Sequence, residues 1–264
     1  MGKMKALTLA VFLLFSGAVH AQAPFYLGLK GGISIPNLTA GGGSPVSSGY
    51  SSILGPYFGI FADYGLSKEG RFSLQVELNY SAQGGKKNGT QAIPTAPFAS
   101  YFPPGYPIPE YFYASFSSKA HLNYLELPVL VKYALPLGKG WKFVIDAGPY
   151  VGYLMHAKDI TKGSDSIYFD EARTQALPVP PQDFSGNEDI TNQIHRFNLG
   201  IQGGIGFECS LAEMGYVYLH VGGNYGFLNI QKYAEDGKNN TGAATFAVGY
   251  AMRLRHRTAA HRTT

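Results

Sequence analysis

Residues 71–83, RFSLQVELNYSAQ, alternate without a break for thirteen positions. Phe72, Leu74, Val76, Leu78, Tyr80 and Ala82 fall on one side, and Arg71, Ser73, Gln75, Glu77, Asn79, Ser81 and Gln83 on the other. A period of two marks a β-strand with one apolar and one polar face. The same pattern recurs between turn signals along the chain and predicts eight strands, at 24–35, 54–66, 71–83, 121–135, 141–155, 196–209, 216–228 and 243–254. The first carries Phe25, Leu27, Leu29, Ile33 and Ile35 on its apolar face, and the last carries Phe246, Val248, Tyr250, Met252 and Leu254.

The connections alternate in length. SKEG, PLGKG and SLAEMG are short, whereas 36–53, 84–120, 156–195 and 229–242 are long. Structureless loops beyond about 15 residues are uncommon in ordinary compact domains. In a transmembrane β-barrel, tight turns at one end and long loops at the other are the expected plan. Each candidate strand also exceeds the roughly 9–11 tilted residues that cross a bilayer. The prediction is an all-β domain over 22–254: an eight-stranded, antiparallel, up-and-down transmembrane barrel with periplasmic turns and long extracellular loops. The alternative is a lipocalin-like soluble barrel, apolar inside and polar outside.

The polar faces favour the membrane reading. Lys30, Asp63, Arg71, Glu77, Glu126, Lys132, Lys142, Asp146, Arg196, Glu208 and Arg253 lie opposite the apolar stripes, six positive and five negative. An interior of eight-strand width is just wide enough for side chains to fill it. A neutralised, salt-bridged plug is therefore expected. Gly28, Gly32, Gly59, Gly148, Gly152, Gly200, Gly204, Gly206 and Gly222 would make room for the long side chains. Phe72, Tyr80, Tyr133, Phe143, Tyr153, Phe207, Tyr225 and Tyr250 fall towards strand ends on the outward face, where interfacial girdles form.

The amino terminus gives the compartment. Lys3 and Lys5 precede the apolar run 6–19, which ends in a small-x-small site. This reads as a secretory signal peptide, 1–21, cut between Ala21 and Gln22. The run is shorter than the ~20 residues a spanning helix needs. Without Lys3 and Lys5 the excess of cations falls to two, which is no nucleic-acid footprint. Charged residues make up 14%, below the ~25% of ordinary soluble proteins, while the chain holds 34 glycines. The single Cys209 excludes an intrachain disulfide. The mature protein is expected as a monomeric barrel in the outer membrane of a Gram-negative bacterium, with lipid as its solvent and no cofactor. The basic segment 255–264, RHRTAAHRTT, reads as a disordered periplasmic tail that could bind a partner.

YLELPVLVKY, DAGPYVGYLM, NLGIQGGIGFE and GGNYGFLNI, in that order, resemble the PorT-type family of small outer-membrane barrels. The resemblance covers nearly all of the mature chain and implies a porin-like β-barrel. Because its namesake serves a protein-secretion apparatus, it also implies an accessory role in secretion through envelope partners.

Candidate chemistry is sparse. His121, His156 and His195 fall at the expected extracellular rim near Asp159 and Asp165, where a metal or general-base site could be built. None has paired ligand spacing, and no G-x-S-x-G occurs. A lipid-modifying or proteolytic barrel enzyme is thus the third choice. The segment 92–116 is rich in Pro, Tyr and Phe. It is expected to pack its aromatics across the barrel mouth, or else to bind a ligand or partner outside the cell. A non-enzymatic barrel with structural or surface-interaction duties is the leading expectation.

Overall fold

The computed structural model describes residues 24–40, 43–67 and 71–254. The expected leader and tail lie outside them. Eight long antiparallel strands close into a ring: β1 (Phe25–Ala40), β2 (Gly55–Gly65), β3 (Phe72–Pro94), β4 (Tyr111–Gly138), β5 (Trp141–Lys162), β9 (Phe197–Ser210), β10 (Gly215–Gly226) and β11 (Asn239–Leu254). Every ring strand pairs with its neighbours in sequence, and β1 closes on β11 from Phe25↔Leu254 to Ala40↔Asn239. Three short strands, β6 (Ser164–Asp165), β7 (Gln182–Asp183) and β8 (Gly186–Asp189), lie between β5 and β9.

Closure has a definite stagger. Following paired residues from Phe25 through Tyr64, Leu74, Val131, Ala147, Gly203, Gly223 and Ala244 returns to β1 at Ile35, ten residues on. With about 3.3 Å per residue along a strand and 4.8 Å between strands, that offset tilts the strands by about 41°. The same geometry sets the backbone about 8 Å from the axis, so opposite walls can meet through side chains.

The alternation predicted from sequence is the alternation observed. Leu29, Ile60, Val131, Ile145, Ile201, Ile205 and Val248 stay exposed on the outer face. Lys30, Asp63, Glu77, Glu126, Lys132, Asp146 and Glu208 are buried inside. An apolar exterior around a charged interior inverts a soluble barrel, and the lipocalin-like alternative fails on it. Aromatic pairs bracket the outer band. Phe72 against Tyr133 and Phe143 against Phe207 stand at the turn end, and Tyr153 against Phe197 and Tyr225 against Phe227 at the loop end.

The turn end is tight. β4 and β5 are joined by Lys139 and Gly140, both at positive φ, 51° and 81°. Two such residues make the two-residue hairpin turn whose twist matches its strands.

The loop end differs from the sequence expectation. The segment 84–120, expected as a loop, continues the β3–β4 ladder as far as Pro94↔Tyr111. GGKKNGTQ is polar on both faces, so the period of two disappears where neither face needs to be apolar. Backbone pairing continues regardless. β5 likewise runs on past His156 to Lys162, and β8 takes over its open edge above β9. One side of the ring, β3–β4–β5–β8, therefore stands taller than the other.

Candidate functional site

The interior is organised in levels from the turn end upward. At the lowest, Lys132 on β4 reaches across to Asp63 on β2 and to Glu208 on β9, the latter at 2.8 Å. Tyr216 of β10 donates its hydroxyl proton to Asp63 Oδ2 at 2.9 Å and offers its ring to the Lys132 ammonium at 5.1 Å. One ammonium thus ties four strands around the ring.

Above it, Glu77 on β3 accepts from Lys30 Nζ at 2.6 Å, Gln75 at 2.6 Å, Asn79 at 2.8 Å and Gln202 at 3.1 Å. Lys30 also donates to the Tyr57 hydroxyl at 2.9 Å. A buried ion pair holds only when its remaining polar atoms are satisfied, and here neighbouring amides complete the carboxylate.

The third pair was not legible as a pair. His220 Nε2 of β10 lies 2.8 Å from Asp146 Oδ2 of β5. The imidazole lies over Gly204 and Gly222, where a Cβ would fall 2.5 Å and 2.8 Å from its Cε1. Two glycines on adjacent strands make the space. A cavity of about 10 Å³, lined among others by Lys30, Glu77, Lys132, Asp146, Glu208 and His220, lies between these levels. It has room for about one water molecule.

Highest among the charged groups is Glu126 on β4, only 1% exposed. It accepts from Gln83 at 3.2 Å and from Asn224 at 3.0 Å. Among the described residues no cation lies within salt-bridge distance of it.

The expected balance of six positive against five negative charges is therefore corrected. All five carboxylates are inside, but only Lys30 and Lys132 join them. Arg71 and Arg253 are exposed, and Lys142 and Arg196 are half-buried at the rims. The Arg196 guanidinium donates to the carbonyls of Leu154 and Met155 rather than to an acid. Parity fixes the face on which a residue lies and says nothing about its depth.

Above Glu126 the interior turns apolar. Leu38, Leu122, Tyr124, Leu154, Ala157, Ile194 and Ile230 form one buried cluster, with Tyr50 and Ile190 against it. Ile194 and Ile230 come from the connections before β9 and after β10, and Tyr50 from the connection before β2. The mouth is filled by these loops and not by 92–116, as the sequence led one to expect.

Lys87 ties down the first loop. Its ammonium donates to Val46 O at 2.5 Å and lies over the Tyr50 ring at 4.8 Å. It stands above the lipid-facing band, and burial pushes its pKa down to about 8. Burial also raises the Tyr50 hydroxyl to about 12.

The segment 92–116 instead packs sideways on the third loop. Phe102 stacks on Tyr106, Phe112 meets Phe169 edge-on, and Phe116 stacks on Phe184. The backbones of Tyr113 and Tyr168 exchange two hydrogen bonds, 2.9 and 2.8 Å.

The three histidines are near the loop end but are not brought together. His156 Nδ1 lies 3.8 Å from Asp189 and 3.3 Å from Thr191 Oγ1. His121 stands opposite Lys158 on the ladder, and burial followed by the Lys119 and Lys158 ammoniums holds its pKa below the usual imidazole range. His195 is exposed, its backbone N–H on Ile230 O. Asp159 accepts from Ser118, and Asp165 binds Arg173. Among the described residues no three His, Cys, Asp or Glu are grouped to hold a metal ion.

An inward charged network, an outward apolar band and eight closed strands are the features of one kind of protein. Residues 20–232 match the family model described as an outer membrane protein β-barrel domain. The chain belongs to that family. No curated protein matches it. Similar solved structures include Neisserial surface protein A (13% identity, TM-score 0.39, 86% of this chain and 96% of that one). Ail of Yersinia pestis is similar over 86% of this chain and 98% of its own, at 9% identity and a TM-score of 0.36. OprG of Pseudomonas aeruginosa is similar over 89% and 97%, at 10% identity and a TM-score of 0.39.

Proposed function

We propose that this outer-membrane barrel is a non-enzymatic protein of the Gram-negative envelope, closed to solutes, that works through its loop end. The tight turns then face the periplasm, the tall side faces outward, and the barrel is monomeric in lipid without a cofactor. The observation that carries the reading is the Lys132 bridge to Asp63 and Glu208, which spans the lumen beneath the apolar cap. Paired side chains leave room there for single waters and not for a water column. In planar bilayers the purified protein gives no stable channel of porin size. Large, reproducible single-channel steps would defeat the proposal.

A second reading, an accessory of a secretion apparatus, follows the PorT-type resemblance. The exposed Leu137, Trp141 and Met214 at the turn end favour it, because they offer apolar contacts on the side where envelope subunits would dock. Co-purification of such subunits, lost on Leu137→Ser with Met214→Ser, tests this reading.

A further inference from the structure

The geometry points to the tip of the β3–β4 hairpin as a binding surface for a neutral polysaccharide. This rests on the reading that the loop end acts outside the cell. The tip is built to be rigid. Thr95 closes its neck: its hydroxyl donates to Pro109 O at 2.6 Å, its N–H donates to Glu110 O at 3.2 Å, and its carbonyl accepts from Phe98 N–H at 2.9 Å. Above the neck, the 3₁₀ turn Ala96–Tyr101 buries none of its residues. Prolines at 97, 103, 104, 107 and 109 preset the backbone, so little chain entropy is lost when a partner binds.

Its chemistry is ring faces without charge. Tyr101 is 83% exposed, and Phe98 and Tyr106 are exposed beside it. Tyr106 rests one face on Phe102, which leaves the other free. No charged residue occurs from 92 to 109, nor in the adjoining stretch 174–182, TQALPVPPQ, which presents Val179. The two stretches are joined through the Phe112–Phe169 contact and the bond from Phe169 N–H to Gln175 O.

Three properties choose the occupant. Small ligands need concave sites that bury most of their surface, and a tip with no buried residue does not provide one. Anionic polymers need lysines and arginines, and this surface has none. Exposed aromatic faces are electron-rich and attract the polarised C–H groups of a sugar ring, while tyrosine hydroxyls and proline carbonyls hydrogen-bond its hydroxyls. An extended uncharged glycan fits all three.

The test is affinity electrophoresis of the full-length folded protein through gels containing dextran, mannan or galactan. At least one polysaccharide retards the barrel, and added salt leaves the retardation unchanged. Tyr101→Ser with Tyr106→Ser weakens it about tenfold while heat-modifiable mobility shows the barrel intact. No retardation by any of the three, or equal retardation of the variant, overturns the inference. Cells whose protein lacks residues 96–108 separate the two levels. Lost surface attachment with no polysaccharide binding in gels overturns the glycan and leaves a protein partner. Unchanged attachment with binding intact counts against the outward role instead.

Discussion

His220 Nε2 and Asp146 Oδ2 meet at 2.8 Å across the inside of the barrel, while Asp146 Oδ1 has no hydrogen-bond partner. The imidazole is thus the only side chain seen to bond this carboxylate among the described residues. His220→Ala strands a buried acid and should cost about 3–5 kcal/mol of stability. Asp146→Asn in the same chain restores part of it, because the uncompensated charge is gone. Urea unfolding followed by the fluorescence of the single Trp141 measures both. Equal stability of the single and double variants would show that the pair carries no charge coupling.

Glu126 poses the opposite case. It is held by neutral amides, and Gln83 Oε1 nearby lacks a partner. Glu126→Gln removes a charge that no cation among the described residues contacts at salt-bridge distance, and adds an amide donor to the cradle. The variant should be more stable by at least about 1 kcal/mol. A less stable variant would reveal compensation that the static contacts do not contain.

Glu77 and Arg196 should respond unequally, although both are charged residues on the inward parity. Glu77→Ala removes the acceptor of Lys30 and three amides, and a loss of about 3–5 kcal/mol is expected. Arg196→Ala removes only two long bonds to carbonyls at the rim, and should cost no more than about 1 kcal/mol. Comparable losses would mean that Arg196 reaches the interior after all.

Lys87 sets a pH dependence at the loop end. Its folded pKa, about 8, lies below the 10.5 of an ordinary lysine. Between those values the unfolded chain holds a proton that the folded one has released, so stability rises with pH. At pH 7 burial of the charged ammonium costs part of what its contacts with the first loop contribute, and that cost fades above pH 8. Hydrogen exchange of residues 43–54, corrected for intrinsic rate, should slow between pH 7 and pH 9. Lys87→Met should flatten that change; an unaltered slope in the variant would assign it elsewhere.

Proteolysis distinguishes the tip from its base. Chymotrypsin should cut after Tyr101, which is exposed and not followed by proline, before it reaches Phe112, which is 3% exposed. First cleavage after Phe112 would show the hairpin to open from its base.

The ring was legible because lipid outside and charge inside impose one period on every strand. Where that pressure ends, so does the signal. The upper halves of β3 and β4 carry GGKKNGTQ and YASFSSKA, which satisfy no alternation yet pair residue for residue. β8 joins β5 with the sequence GNED, polar throughout, and nothing local distinguishes it from a loop. His220 was missed for a related reason. It is uncharged by convention, its ring needs the space over Gly204 and Gly222, and its partner Asp146 lies 74 residues away in sequence.

The seam between β1 and β11 has a temporal meaning. Phe25 pairs with Leu254, so the first strand made waits for nearly the whole chain before its second edge is covered. Until then both edges of the sheet present bare amides and carbonyls, which hydrocarbon does not tolerate. Contacts of such long range form slowly. A chain halted before Asn239 lacks its closing strand and cannot complete the ring in lipid. Closure of the ring must therefore wait for the last strand.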